Sequence, residues 1–520
     1  MSVNILSLKP GHDGSISNIQ DGKLRFCLEG EKDSHARYAS IHPITIVDAL
    51  SHVDSLPDVI AIGGWYRGPW ITDPTYLSGY FGWDESCRQE RIVKIFGCPV
   101  RQFSSTHERS HLLCTYGLSP YEQGQFCYAL VWEGQLGAFY QIDENVKITK
   151  LADILPGVGD KYLYFYNLAH SQDGIDFSAA GKLMALASFS KRVRPSHEDQ
   201  KLIDFVANEA ILMRTPLSAA HWSPLYRNGV ESERFKNLAG VFSDHLFDRF
   251  FKAAKYYIKR RAPLLIAGGC GLNCDWNTRW LESGIFTDVF VPPCANDSGS
   301  SIVTAIDAQL YFTGSAKIDW TVYAGAPFEN DMSELPCGFR KVVVSARDIA
   351  QLLAKKYVLG WVQDRCEIGP RALGHRSILA EPFTVETRDR LNAIKRREAY
   401  RPIAPVCPEE RVHEYFDWQG PSRHMLYFQH VKQIGLNAIT HVDGTARVQT
   451  LRKEDSQLLY QVLEEFRQID GVAVLCNTSL NESGRGFINR LSDLVKFVTE
   501  RRIDGLVVDN VLYTPANIFK

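Results

Sequence analysis

The 520-residue chain lacks a strong charge of either sign: 58 Lys and Arg stand against 60 Asp and Glu, for a formal net charge of -2. No global basic field therefore draws it to nucleic acid or anionic lipid, although local basic clusters can still hold phosphate. No apolar stretch approaches the ~18 residues that span a bilayer, so no membrane partner is expected. The start, MSVNILSLKPGHDGS, lacks a basic region, a long apolar run and a small-residue cleavage site. It reads as a strand and a turn rather than a secretion signal, and the expected compartment is the cytoplasm. The 12 cysteines form no C-x2-C pair; the closest two, Cys270 and Cys274, flank Gly-Leu-Asn. Buried reduced thiols are expected, with neither a disulfide framework nor a zinc ribbon. Low-complexity tracts, long repeats and heptads are missing too, so nothing in the chain points to an oligomeric state.

What is present is ordinary globular material, 45% hydrophobic and 23% charged. The length exceeds one core, and two α/β domains are expected, over 1–330 and 340–520, with the polar stretch 315–340 as linker. In the first, VNILSL reads as a strand, GHDGS as a tight turn, and ISNIQDGKLRFCLE as a hairpin turning at Asp21-Gly22. DVIAIGG is another strand, a helix starts near His107, and CYALVWEGQLGAFYQID is a second hairpin. This repeated strand, glycine turn and hairpin resembles the paired nucleotide-gripping lobes of the actin, Hsp70 and sugar kinase superfamily. A long amphipathic helix over 232–261 leads into the buried strand PLLIAGG, and NDSGSSIVTAI opens a further helix. The second domain alternates helices and strands in the same way.

Within the first domain, His107-Glu108-Arg109-Ser110-His111 spells H-E-x-x-H, the pattern of zinc proteases, in which two histidines bind metal and the glutamate serves as base. Ser104, Ser105 and Thr106 stand directly before it, and Ser105-x-x-Glu108 matches a capping box, which would occupy Glu108 structurally. The two histidines share one helix face in either case. Two helix histidines without metal, a zinc hydrolase, and a metal site of another kind all remain open on this motif alone.

Further motifs narrow the choice: GHDGS (11–15), H-x-x-x-H (107–111), AGGCGLNCDWN (267–277), NDSGSS (296–301), GPRALGHRSILAEP (369–382), IKRREAYRPIAP (394–405), HVDGTARVQT (441–450) and CNTSLN (476–481). In this order, across almost the whole chain, they resemble the O-carbamoyltransferases of antibiotic and nodulation-factor biosynthesis. KPGHDG, WEGQLGAFY, GGCGLNCDWN and GFINR (486–490) resemble the cephem-acting branch of that family. The resemblance implies an N-terminal actin/Hsp70-like ATPase domain similar to the tRNA threonylcarbamoyl-transferase, and a C-terminal YrdC-like domain. The second would make carbamoyl adenylate from carbamoyl phosphate and ATP, with Mg2+. The first would move the carbamoyl group onto a small-molecule hydroxyl, the intermediate passing inside the protein.

Residue by residue, the resemblance makes His107, His111 and Asp297 a metal triad, with Fe(II) first among the divalent cations; Asp297 also reads as a helix N-cap. Gly181, Lys182, Gly268, Gly269, Asn273, Glu133 and Gly134 would face the nucleotide, at glycine turns and helix starts suited to phosphate. Arg371, Arg376, Lys395, Arg401, Arg447, Asn477, Ser479 and Arg485 would hold carbamoyl phosphate and ATP, since the arginine fork matches phosphate oxygens. Arg396 and Arg397 are expected as solvated helix charges. His12, beside Asp13 in the first turn, is the expected base for the acceptor hydroxyl, since imidazole titrates near neutrality.

The chain departs from the family pattern in three places. Glu133 stands where many relatives carry Asp in D-G-x-G, His375 ends GPRALGH where Asn is usual, and Asn481-Glu482-Ser483-Gly484-Arg485-Gly486 replaces the usual N-x-x-G-E-P. Two rival readings accompany the transferase: a zinc metallohydrolase resting on H-E-x-x-H, and a tRNA-modifying nucleotide-binding protein. The near-neutral charge argues against a nucleic-acid partner.

Overall fold

The computed structural model describes residues 3–64, 78–170, 175–209, 211 and 215–515; the tryptophan- and tyrosine-rich stretch 63–86, expected from the sequence to line part of the first domain's cleft, lies outside it over 65–77. The chain packs as two α/β units, 1–8, 19–22 and 57–319 in one, 9–18, 23–56 and 320–520 in the other. The linear division expected at 330–340 differs in two respects: the boundary falls between residues 319 and 320, and residues 9–18 and 23–56 group with the C-terminal half.

The first unit holds two sheets. In one, Asn4–Lys9, Val59–Gly63 and Cys98–Ser105 run parallel, with Gln89–Ile95 antiparallel at the edge. In the other, Leu264–Ala267 lies parallel between Val289–Phe290 and Cys127–Trp132, and Cys127–Trp132 turns back at Glu133 into Gly137–Ile142. All six residues of CYALVW are buried, which suits a central strand covered on both faces. The helix Glu233–Tyr257 begins at Ser232, whose side chain accepts from the Phe235 N–H, and buries Phe235, Leu238, Phe242, Leu246 and Phe250 at the three- and four-residue steps the sequence showed. The helices His107–Leu118 and Ser300–Thr313 pack on each other and bring the two candidate metal segments into one place.

The second unit centres on an eight-stranded mixed sheet in the order Phe339–Val343, Val511–Pro515, Gly505–Val508, Leu359–Val362, Arg376–Ala380, Leu475–Ser479, Ala404–Pro408, Gln449–Leu451. Helices Ala346–Ala354 and Gln457–Asp470 pack together over its core, which includes Trp361, Leu379, Leu463 and Phe466. Between Gly314 and Gly338 the described chain carries only isolated bridges. Asp21 and Gly22 both adopt positive φ, 54° and 75°, as a two-residue hairpin turn requires. Within 425–431, expected as one strand, the strand covers Gln429–Val431, and Met425 lies outside the β region at φ 55°.

Candidate functional site

The strand Cys98–Ser105 runs directly into the helix His107–Leu118, so both histidines of H-x-x-x-H lie in its first turns. Their Nε2 atoms are 3.1 Å apart. The Oδ1 of Asp297 lies 3.4 Å from His107 and 3.3 Å from His111, and the Oε2 of Glu133 lies 3.4 Å from each. One donor atom from each of these four side chains lies within 4.8 Å of all the others. His107, His111 and Glu133 are buried, and the Asp297 side chain is only 13% exposed.

Two imidazoles and two carboxylates this close need positive charge among them. Burial alone pushes His111 down, yet hydrogen bonds to Asp297 and Glu133 outweigh it and raise the imidazole to about 9. Burial pushes Glu133 up, and the two histidines outweigh it and hold the carboxyl well below its usual range. The donor set, two nitrogens and two carboxylate oxygens, is one that divalent transition metals accept.

Three expectations at this site are corrected. The helix is capped by Thr106, whose Oγ1 accepts from the Arg109 N–H at 3.2 Å, while Ser105 ends the strand and donates to Asp307 at 2.5 Å. Glu108 makes no capping box. It accepts from the Tyr140 hydroxyl at 2.5 Å and the Gly82 N–H at 2.8 Å, and pairs with Lys150 at 2.9 Å. The helix-start residue at the other segment is Asn296, and no side-chain cap bond is made there, so Asp297 faces the imidazoles instead of capping.

Glu133, expected at a phosphate turn, is the fourth member of the donor set. The hairpin turn is closed by the Glu133 N–H donating to the Leu136 carbonyl at 2.8 Å, and the Gly159 N–H donates to the Glu133 carbonyl at 2.8 Å. Gly268 sits beside it at φ 90°, and a Cβ there would meet the Trp132 carbonyl at 2.3 Å. Only glycine allows that approach. Gly269 borders open space, and Asn273 caps the helix Cys274–Glu282 by accepting from the Trp276 N–H at 3.3 Å. Gly181 and Lys182 lie apart in sequence on the helix Ala179–Ala187, where Lys182 pairs with Asp176 at 2.9 Å. Tyr80, which the sequence did not single out, stacks on His107 with ring centroids 4.5 Å apart and donates its hydroxyl hydrogen to Glu133.

In the second unit, His12 and Asp13 occupy the first glycine turn. The His12 side chain is 47% exposed, stacks on Tyr38 with centroids 5.1 Å apart, and places Nδ1 3.4 Å from the Asp13 carboxylate. Asp13 is buried at φ 52°, a conformation that Asp tolerates better than most residues.

The GPRALGH loop is tied down from several sides. Buried Glu367 accepts from the N–H groups of Leu373, His375 and Arg376 at 2.6, 2.9 and 3.1 Å. Glu29 accepts from the Gly369 N–H at 2.6 Å, and Lys32 donates to the Gly369 carbonyl at 2.7 Å. Asn477 donates to the Ala372 carbonyl at 3.3 Å and to Gln449 at 2.7 Å. His375 stacks on Tyr323 with centroids 3.6 Å apart, and burial pushes it down.

The expected phosphate ligands divide. Arg376 is fully buried and directs its guanidinium to Asn489 and to the carbonyls of Gln363, Asp364 and His375, so it braces the sheet and has no fork left for phosphate. Arg371 lies in this tied-down loop, between Gly369 and Gly374. Lys395 is buried and donates to the Ser479 and Asn481 carbonyls, both at 2.6 Å, and to the Asn481 side chain. Ser479 donates to Asn481 at 2.6 Å, and Arg485 donates to the Ser34 carbonyl at 2.8 Å.

Arg397, expected as a solvated charge, is half-buried and held by Asn392 at 2.6 Å. Burial, then Arg401 and Arg447, drives its guanidinium well below the usual range. Burial and the neighbouring Arg397 and Arg401 do the same to Lys395. Like charges gathered this way leave room for an anion.

Similarity to known proteins runs the full length of the chain. A sequence profile described as Carbamoyltransferase N-terminus matches residues 70–306, and one described as Carbamoyltransferase C-terminus matches 350–514. The 3'-hydroxymethylcephem-O-carbamoyltransferase of Streptomyces clavuligerus is 42% identical over 519 residues, 98% of each chain. Its namesake in Amycolatopsis lactamdurans is 42% identical over 521 residues, 98% of this chain and 99% of that one. Nodulation protein U of Sinorhizobium fredii is 30% identical over 562 residues, again 98% and 99%. Among solved structures the scores are low: the archaeal actin homolog Ta0583 with ADP gives a TM-score of 0.29 at 12% identity, covering 57% of this chain and 98% of that one. The fold described above rests on this chain's own strands. With both of its halves matched and two such relatives spanning it end to end, the chain belongs to the carbamoyltransferase family.

Proposed function

We propose that this enzyme is an ATP-dependent O-carbamoyltransferase whose acceptor is the primary alcohol of a 3-hydroxymethylcephem. The full-length similarity to two enzymes of that specificity carries the acceptor assignment. Carbamoyl phosphate, ATP and one water would give carbamoyl adenylate, pyrophosphate and phosphate. The acceptor oxygen then attacks the carbamoyl carbon, and AMP leaves as the carbamate ester forms.

In the second unit, Arg371, Arg401, Arg447 and the half-buried Arg397 supply charge for the phosphates of both substrates. Lys395, Ser479, Asn477 and Arg485 shape the turns around them, and Glu367 with Glu29 keeps the Arg371 loop from moving. In the first unit, Gly134, Gly268 and Gly269 offer backbone to a nucleotide, with Gly181 and Lys182 as further contacts. His12 of the second unit, 47% exposed and steadied by Tyr38 and Asp13, takes the acceptor's hydroxyl proton.

The set His107, His111, Glu133 and Asp297 suits a divalent cation, Fe(II) in our reading. When bound, such an ion supplies positive charge for a phosphate oxygen. The zinc-hydrolase reading is not retained, since Glu108, the base it requires, is engaged by Tyr140, Lys150 and Gly82.

Incubation with ATP, carbamoyl phosphate, Fe(II), Mg2+ and the cephem alcohol tests the proposal. The expected product is heavier than the alcohol by roughly 43 mass units, one hydrogen replaced by CONH2 in an acyl transfer. Absence of that product, with the alcohol recovered unchanged, overturns the assignment of acceptor.

A further inference from the structure

The segment Gly79 to Trp83 is fastened to the first turn of the His107–Leu118 helix by five hydrogen bonds, and the H-E-x-x-H motif supplies most of them. The N–H groups of His107 and Glu108 donate to the Gly79 and Tyr80 carbonyls at 3.1 and 2.9 Å. The Glu108 carboxylate accepts from the Gly82 N–H at 2.8 Å, Thr106 donates to the Gly82 carbonyl, and Arg109 donates to the Trp83 carbonyl at 2.8 Å. Gly82 lies at φ 124°, and a Cβ there would meet the Cys87 sulfur at 2.3 Å, so the segment takes this path only with glycine. These bonds give Glu108 and Arg109 a task that the metal reading of the motif leaves unassigned.

The clamp delivers one side chain to the donor set. Tyr80 is 7% exposed, its ring lies on His107 at 29° between planes, and its hydroxyl donates to the Oε1 of Glu133. The other oxygen of that carboxylate is the one 3.4 Å from both imidazoles. Tyr80 therefore sorts the two oxygens of Glu133, holding one and leaving the other for the set, and it also fixes the plane of His107.

We propose that Tyr80, held in place by the Glu108 and Arg109 clamp, is a positioning residue that orients Glu133 and His107 as metal ligands. This rests on the reading of the four side chains as a metal site. Partners of this kind set ligand orientation and basicity, and losing one weakens metal binding by about 10- to 100-fold.

The test uses the full chain stripped of metal and titrated with Co(II), whose visible absorption reports ligand geometry. Tyr80→Phe keeps the ring and removes the hydroxyl, so the Co(II) Kd should rise about 10- to 100-fold with a shifted band. Tyr80→His, which restores an N–H donor, should recover part of the affinity, and it serves as the second variant if Tyr80→Phe does not fold. Equal Kd and identical spectra for Tyr80→Phe and the parent overturn the proposal alone. Failure of the parent to bind one Co(II) per chain overturns the metal reading and takes this proposal with it.

Discussion

The two units bury opposite charge imbalances. In the first, Glu133 and Asp297 face two imidazoles 3.1 Å apart, and the carboxylates raise His111 above the ordinary histidine value. In the second, Arg397 and Lys395 are depressed by burial and by neighbouring guanidinium groups, Arg401 and Arg447 beside Arg397, and Arg397 and Arg401 beside Lys395. Unbalanced buried charge is costly, and a fold keeps it where a ligand of opposite sign is to arrive. On the function proposed above, one unit would receive a cation and the other phosphate, a polarity that the net charge of -2 conceals.

The largest expected effect separates the units chemically. His107→Ala or Asp297→Ala should lower carbamoyl transfer by more than ~100-fold, beyond the range for outer-shell changes. Pyrophosphate release from ATP with carbamoyl phosphate should persist; its parallel loss would mean that the four-residue set also serves adenylate formation. Next comes stability. Asp307 is fully buried and receives Arg109 at 2.7 Å, Arg88 at 2.8 Å and the Ser105 hydroxyl at 2.5 Å. Asp307→Ala strands two guanidinium groups and should cost about 3–5 kcal/mol in denaturant unfolding. A cost under ~1 kcal/mol would show that water reaches the pair.

On the anion side, Arg371→Ala should raise the KM for carbamoyl phosphate or ATP by roughly 10- to 100-fold, the loss of a charge-assisted bond of about 1.5–3 kcal/mol. Arg376→Lys, at a residue already engaged by Asn489 and carbonyls, should lower the melting temperature and leave KM nearly unchanged. The reverse pattern would exchange the roles of the two arginines.

The smallest effect is in pH dependence. Burial holds His424 and His441 at about 4, below the ordinary histidine value. Unfolded chain then binds more protons than native chain between that value and about 6.5, so these groups stabilise above 6.5 and the contribution is lost as pH falls through about 4. Chemical denaturation across that window should show falling stability, and His424→Gln with His441→Gln should flatten the slope. An unchanged slope would assign the acid sensitivity elsewhere.

Much of the fold was legible because hydrophobic periodicity and glycine turns are local signals. The Glu233–Tyr257 helix, the CYALVW strand and the Asp21-Gly22 turn needed only neighbouring residues to be recognised. At the site, the pairing of His107 with His111 was equally local, since four residues separate the two on one helix. Glu133 as their partner was not, because WEG reads as a glycine turn whichever way its carboxylate faces. The misplaced cap arose from a match to Ser105 when Thr106, one residue later, turns its hydroxyl oxygen to the Arg109 N–H; Ser105 is engaged by Asp307, 202 residues away. Arg376 and Arg397 exchanged expectations for the same reason, since a guanidinium's partners are set by which strands and loops meet around it.

By itself the order of residues determined the α/β character, the glycine turns, the paired histidines and the ordered motifs of the family, since each depends on spacing within a few residues. Only the packed chain decided which oxygen of Glu133 meets the imidazoles, that Glu108 clamps a loop instead of facing them, and which basic groups gather around Arg397. Those outcomes depend on contacts between segments far apart in sequence, where burial and hydrogen-bond geometry choose the partner.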